Sequence, residues 1–510
     1  MEVPPLEDNA SPARYSTKDV PELEIKEFMR GGLPSTLAGG KLRKFLVVVA
    51  IGCFFAGYNL VIFFDVLLFK DYLCSPNVYD CVGSSSTSET GLMAASVFNF
   101  VRASSSIVFI VSLIIGGAIS DDIRTKYGNR LPMILIGSFI AGLGYIFSPV
   151  AYFTLADFIS PLFIHSIMYS LISVGLGMSI GPELSLLSGL FSKEERGLAG
   201  LGLVSMGTIG SFIGLLVKWF LVDPHYNQPN QIPWLAVWCC FGLLLILSGV
   251  LTFVFTPKIN PPFPPDSTIK DILATPRYLF SLGEGNETKK DFHLMLIVSI
   301  LWGGAGFIIT SNFPNFIGEL RMSAFTNYDP AFLVLLMGIG GALFAGIAGL
   351  IVIKLGKARG GILGSVTLGI FAVLLAQSLV WEDTLLFAVT LLGGAGTVLL
   401  STINLSLPAD LVPRGKEGQF LGITSSVGNL LNPFVSFGVG MMFAYSSDIL
   451  GGYSIVFMFA GCLYLLSIFF LFLVHYEERS DKEYRSFYRR YLKFRGVVSS
   501  HRNGNTKKGS

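Results

Sequence analysis

Gly117-Ala-Ile-Ser-Asp121-Asp-Ile-Arg124-Thr-Lys126-Tyr-Gly128-Asn-Arg130-Leu-Pro132 is the stretch on which the fold turns. It closes one long apolar run, passes through basic residues and a turn glycine, and opens another apolar run at Leu131. A hydrocarbon core of roughly 30 Å takes about 20 apolar residues per helix, so this is a chain leaving a bilayer and re-entering it. The punctuation recurs as Gly349-Leu-Ile-Val-Ile353-Lys354-Leu-Gly356-Lys357-Ala-Arg359, without the acid. A second echo pairs Pro182-Glu183-Leu184 and Lys193-Glu-Glu-Arg196-Gly197 with Pro408-Ala-Asp410-Leu411 and Arg414-Gly-Lys416-Glu-Gly418. Repeats of this kind predict two related halves.

Working outward, twelve apolar runs qualify as spans. They are approximately Phe45–Phe69, Leu92–Ile119, Leu131–Phe153, Phe158–Ile180, Leu198–Leu221 and Trp234–Phe255. After a polar, proline-rich stretch come Leu294–Phe316, Ala331–Ile353, Ile362–Val380, Leu385–Leu405, Phe420–Phe443 and Tyr453–Val474. Composition agrees: 52% of residues are hydrophobic and 14% charged, too few charges to coat soluble domains. The predicted fold is an all-α integral membrane protein of about twelve helices in two pseudo-symmetric six-helix bundles. Residues 1–44 form a polar N-terminal segment, 45–256 the first bundle, 257–291 a central loop, 292–476 the second bundle and 477–510 a basic tail. The tail's aromatic spacing suits an amphipathic helix on an anionic leaflet or a solvated helix. No cleavable signal peptide opens the chain, so the first span is expected to direct insertion.

Charge orients the spans. Of the 36 Lys and Arg residues, only Lys70, Lys218 and Arg321 fall on the side opposite the N-terminus, with Arg102 inside a span. The positive-inside rule then predicts that both termini are cytoplasmic. The cell membrane is the expected location and a monomer the expected state. Cys53, Cys239, Cys240 and Cys462 fall in spans as packing residues, while Cys74 and Cys81 share an outer loop as a disulfide or as free thiols.

With its turn glycine and basic residues, Gly117–Pro132 resembles the loop between the second and third helices of the major facilitator superfamily. Span number, central loop and half-repeat match that superfamily over nearly the whole chain. The spacing from Asp121 through Arg124, Lys126, Gly128 and Arg130 to Pro132 is similar to the branch of melibiose-type sugar–cation symporters and sucrose transporters. That branch usually has basic residues where this chain has Asp122 and Asn129. Its sodium-binding carboxylates correspond here to Leu113 and Phe109, which cannot coordinate sodium.

The repeated loops supply a candidate gate: Gly117, Asp121, Arg124, Gly128, Arg130, Glu183, Arg196, Lys357, Arg359 and Asp410. Asp121 is expected at the inner end of span 2 and Glu183 at the end of span 4, with Arg124 and Arg130 within reach. Ion pairs across helix ends can hold one face closed and break as the halves rock. The plainer reading is that these charges only set topology. Within the membrane an ionisable side chain costs about 2.5–3.5 kcal/mol on insertion scales. Arg102, near the midplane, therefore either binds an anionic or hydroxyl-rich solute or forms a structural pair with Asp65. Tyr58, Asn59, Trp302, Asn312, Asn404 and Asn429 either line a central cavity for a sugar-like solute or form interhelical hydrogen bonds. His165 is a candidate proton carrier or a packing residue.

No phosphate-binding loop, His-Glu-x-x-His or nucleophile elbow occurs, so no enzyme, cofactor or metal is expected. The expected function is secondary transport of a small polar organic solute by alternating access, with H+ as a candidate coupling ion. Two alternatives remain, a transporter-like sensor without net flux and a passive facilitator or channel.

Overall fold

A computed structural model describes residues 40–73, 89–123, 125–155, 161–191, 193–217, 232–257, 287–322, 330–377, 383–411, 417–435, 438–439 and 449–474. These residues form twelve principal helices. The first six are α1 (Gly40–Leu73), α2 (Glu89–Asp122), α3 (Leu131–Leu155), α4 (Pro161–Leu190), α5 (Lys193–Val217) and α6 (Ile232–Phe255). The second six are α7 (Glu287–Met322), α8 (Pro330–Leu355), α9 (Lys357–Ala376), α10 (Asp383–Leu411), α11 (Glu417–Gly428) and α12 (Ile449–Phe472). Nine helices among the described residues are long and apolar enough to cross a membrane.

Packing repeats with a period of six helices. In the first half α1 packs on α5 and α6, α2 on α4, and α3 on α4 and α6. In the second half α7 packs on α11 and α12, α8 on α10, and α9 on α10 and α12. Each pair in one half thus has its counterpart in the other, which establishes the two-bundle architecture. The halves meet along α2–α11 and its counterpart α5–α8, and along α4–α11 and its counterpart α5–α10.

Apolar side chains serve two surfaces. Tyr145 packs on Trp238 at a tilt, 5.4 Å between rings, inside the first half, and Phe316 meets Phe457 edge-on at 5.2 Å inside the second. Leu343, Phe434, Phe469, Phe472 and Ile353 are instead exposed, a greasy exterior suited to lipid.

The observed helices depart from the expected spans at functional points. α4 continues ten residues beyond the expected end at Ile180, running through Pro182 to Leu190. α11 ends at Gly428, where one span to Phe443 was expected. Pro433 has no N–H to give the carbonyl of Asn429, and the Asn432 N–H takes that carbonyl in a tighter turn at 3.1 Å. The two loop repeats share a local cause. Gly128 (φ 100°) and Gly356 (φ 84°) both adopt a left-handed turn that brings a basic residue to the start of the next helix.

Candidate functional site

Most of the predicted gate residues gather at one end of the molecule, called here the motif face. Asp121 is in the last turn of α2 and is buried. Its carboxylate accepts hydrogen bonds from the backbone N–H groups of Gly418 (3.1 Å) and Gln419 (2.8 Å), in the first turn of α11. The acid of one half thus caps a helix of the other, pairing a negative charge with free N–H groups and the positive end of a helix dipole. The close approach depends on glycine. A methyl at Gly117 would collide with the backbone of Gly418, and one at Gly422 with the carbonyl oxygen of Leu113 at 2.6 Å. Ser426 extends the seam, donating to Ile110 O at 3.0 Å.

The second junction is ionic. Arg196, at the start of α5, gives Nη1 to Asp410 Oδ1 and to Ala409 O, at 2.8 and 3.0 Å. It also gives Nη2 to Ser188 O at 2.6 Å and Nε to Phe191 O at 3.2 Å. One guanidinium therefore holds the last turns of α4 and the end of α10 together. Lys357, at the start of α9, donates to the other carboxylate oxygen of Asp410. The side chain of Asp410 is fully buried, with Arg196 2% and Lys357 8% exposed, so one anion serves two cations away from water. The second loop repeat, which lacks an acid at Ile353, obtains one from α10.

Two expectations need correction. Glu183 does not end its helix: it lies about two turns before the end of α4. It is 0% exposed, and among the described residues neither carboxylate oxygen has a hydrogen-bond partner. Arg130 donates to the carbonyl of Ser185. The apolar run closes at Ile180, whereas α4 carries Pro182 and continues to Leu190. Trp302 is the second correction. Its indole N–H reaches Ser365 Oγ and Ser467 Oγ, each at 2.9 Å, inside the second bundle between α7, α9 and α12. That buried network occupies its one donor.

Of the other candidates, Arg359 is exposed on α9 and Arg124 lies outside the described residues. The side chains of Tyr58, Asn59, Asp65, Arg102 and His165 also lie outside them. Asn312 is buried on α7 and gives Nδ2 to Ile308 O at 2.8 Å. Asn404 is exposed on α10. Asn429, where α11 stops, accepts from Asn432 Nδ2 at 2.8 Å. Cys53, Cys239, Cys240 and Cys462 carry free thiols, and Cys74 and Cys81 lie outside the described residues. Among the described residues no cluster of His, Cys, Asp and Glu could hold a metal ion.

Residues that sequence reasoning missed are mostly backbone groups: the N–H groups of Gly418 and Gln419 and the carbonyls of Ser185, Ser188, Phe191 and Ala409. The available signal was Gly418, echoing Gly197 at the start of the corresponding helix and matched in smallness by Gly117.

Solved structures share this architecture. The proton:xylose symporter XylE bound to 6-bromo-6-deoxy-D-glucose aligns with a TM-score of 0.60 at 17% identity, over 84% of this chain and 95% of that one. The human organic anion transporter MFSD10 (TETRAN) aligns at 0.60 and 15% identity, over 84% and 98%. The partially occluded, inward-open xylose transporter XylE from E. coli gives 0.59 and 16%, over 85% and 99%. No curated protein matches the chain by sequence. The family model of the Major Facilitator Superfamily matches residues 45–435, from the first span through the second junction of the halves. With that match and the six-helix repeat, the chain belongs to the Major Facilitator Superfamily, a family of membrane transporters.

Proposed function

We propose that this transporter moves a small polar organic solute, sugar-like in the first instance, by alternating access. The motif face is its cytoplasmic side, closed in the conformer described. The observation that carries this reading is the double junction between halves at one face: the Asp121 cap on α11 and the Arg196–Asp410–Lys357 cluster. A permanent pore has no use for such a latch. Each part consists of polar contacts that water can replace when the halves rock, so closure is reversible.

The sugar-like class is supported by the loop's resemblance to the sugar–cation symporter branch and by a fold neighbour that carries xylose with protons. Another neighbour carries organic anions, so fold alone does not select the solute. Asp65, Arg102, Tyr58, Asn59, Asn312, Asn404 and Asn429 remain the proposed solute contacts. Trp302 leaves that set because its donor is engaged inside its own bundle.

Counterflow in proteoliposomes tests the reading. With unlabelled sugar loaded inside, labelled sugar should accumulate transiently above equilibrium. A channel shows no trans-stimulation, and a sensor moves no solute. Accumulation with organic anions alone would keep the carrier and remove the sugar.

A further inference from the structure

We propose that Glu183 is a proton-binding site that biases the motif face, the neutral acid favouring closure and the carboxylate favouring opening. This deepens the alternating-access reading and rests on it for the open conformer.

Glu183 is fully buried and has no hydrogen-bond partner among the described residues. An ionised carboxylate left bare in such a place costs far more than a neutral acid, so the closed conformer accommodates the protonated form. Register shows what stands near it. Ser179, one turn earlier on α4, gives Oγ to Ile134 O at 3.0 Å, one turn beyond Arg130 on α3. Glu183 therefore faces the α3–α4 seam at about the level of Arg130.

Arg130 is engaged two residues along the helix, at Ser185 O. That carbonyl also accepts from Ser188 Oγ at 2.8 Å, and the carbonyl of Ser188 accepts from Arg196. Arg196 then reaches Asp410. A run of hydrogen bonds thus leads from Arg130, through the last turns of α4, to the ionic junction with the other half. Ionised Glu183 competes with Ser185 O for Arg130, since a guanidinium–carboxylate pair, charged on both sides and able to bond through two parallel N–H groups, outweighs a guanidinium bond to a neutral carbonyl. Drawing Arg130 away releases the last turns of α4, on which Arg196 is seated.

The charged groups at this level on every element packed against α4 are known for the described side chains. α1 brings Lys44, bonded to Glu195 at 2.8 Å. α2 brings Asp121, which caps α11, and Asp122; α3 is preceded by Arg130; α5 brings Glu195 and Arg196; α10 brings Asp410. The described part of α11 that meets α4, Gly418–Gly428, carries no charged side chain. Asp121 and Asp410 have partners across the halves, Glu195 is bonded to Lys44 and Asp122 is only half-buried, whereas Glu183 is a fully buried acid with no hydrogen-bond partner among the described residues.

The step balances simply: closure converts one carboxylate and one H+ into one carboxylic acid. Acid therefore favours closure, and one proton changes the closed-to-open ratio by at most about tenfold per pH unit. The dependence vanishes below about pH 4, where the hydrated carboxyl of the open form is protonated as well.

The full chain is placed in lipid nanodiscs, free of native cysteines and spin-labelled through Lys126→Cys and Lys354→Cys, exposed positions on the two halves. The inter-label distance distribution follows closure without any solute. Raising the pH from about 5 to about 8 should shift the parent population from short to long distances. Glu183→Gln should hold the short distance at every pH, and Glu183→Asp should keep a pH response. A Glu183→Gln profile that tracks the parent, or a parent that ignores pH, overturns the proposal. If Glu183→Gln does not fold, Glu183→Leu takes its place with the same two outcomes. Counterflow in the same preparation separates the readings. Its absence sinks the transporter, while a Glu183-dependent distance profile still upholds the proton site.

Discussion

The two junctions between the halves occupy equivalent places in a repeated architecture, yet they are built from different materials. On the α2–α11 side two backbones touch, and the Asp121 carboxylate sits on helix N–H groups. On the α5 side bulkier side chains separate α5 from α8, and the hold has moved beside them, to a buried triad of Arg196 on α5 with Asp410 on α10 and Lys357 on α9. The first junction depends on shape and tolerates loss of charge better than added volume. The second depends on charge and tolerates added volume better than loss of its anion. Pseudo-symmetry preserves where the halves meet without preserving how.

The largest effect expected from this contrast is at Asp410. Its removal leaves two cations buried together, and breaking a buried pair costs about 3–5 kcal/mol. Asp410→Asn should abolish the short Lys126–Lys354 label distance and lower the melting temperature in detergent. A closed population unchanged by Asp410→Asn would mean that the triad is packing and not a latch.

Gly117→Ala comes next. The added methyl meets the Gly418 backbone, which cannot swing aside as a side-chain tip can, so the cost falls in the overpacking range of about 1–3 kcal/mol. The measured signs should be a reduced closed fraction and slowed exchange, with solute affinity kept. Full closure in this variant would show that the seam has slack.

Asp121→Asn should do less. The amide oxygen still accepts one N–H, while the amide nitrogen faces the other donor, so one cap bond and the charge on the helix end are lost, about 1–2 kcal/mol together. Turnover should fall several-fold with solute binding unchanged. A loss as deep as that of Asp410→Asn would make the two junctions alike in kind.

What the sequence disclosed follows the same division. Twelve principal helices and their repeat were legible because bilayer thickness and period-six punctuation are written in runs of side chains. Asp121, Arg196, Lys357 and Asp410 were legible as charges that gather at one face because acids and bases recur at matching places in the two halves. Their partners were not. Asp121 bonds two backbone N–H groups, and Arg196 bonds three backbone carbonyls, groups that every residue carries and no residue name reveals. Glu183 was misplaced for a related reason. The apolar run closes at Ile180, but α4 carries Pro182 inside it and continues to Leu190, losing only the one N–H that would reach the carbonyl of Met178.

The smallest effect is the most discriminating, because it concerns the residue that repeats Gly117 in the second half. A methyl at Gly349 meets Leu201 Cδ2 at 3.0 Å and Leu198 Cδ2 at 3.8 Å, both movable ends of side chains. Alanine also gains up to about 1 kcal/mol over glycine inside a helix, and that gain is common to both sites. It therefore cancels when Gly349→Ala is compared with Gly117→Ala, leaving only the difference between a side-chain neighbour and a backbone neighbour. Gly349→Ala should transport at the parent rate and melt at the parent temperature or slightly above. If it instead matches Gly117→Ala in closed fraction and exchange rate, glycine serves both seams equally. The division into a packed junction and an ionic one then falls.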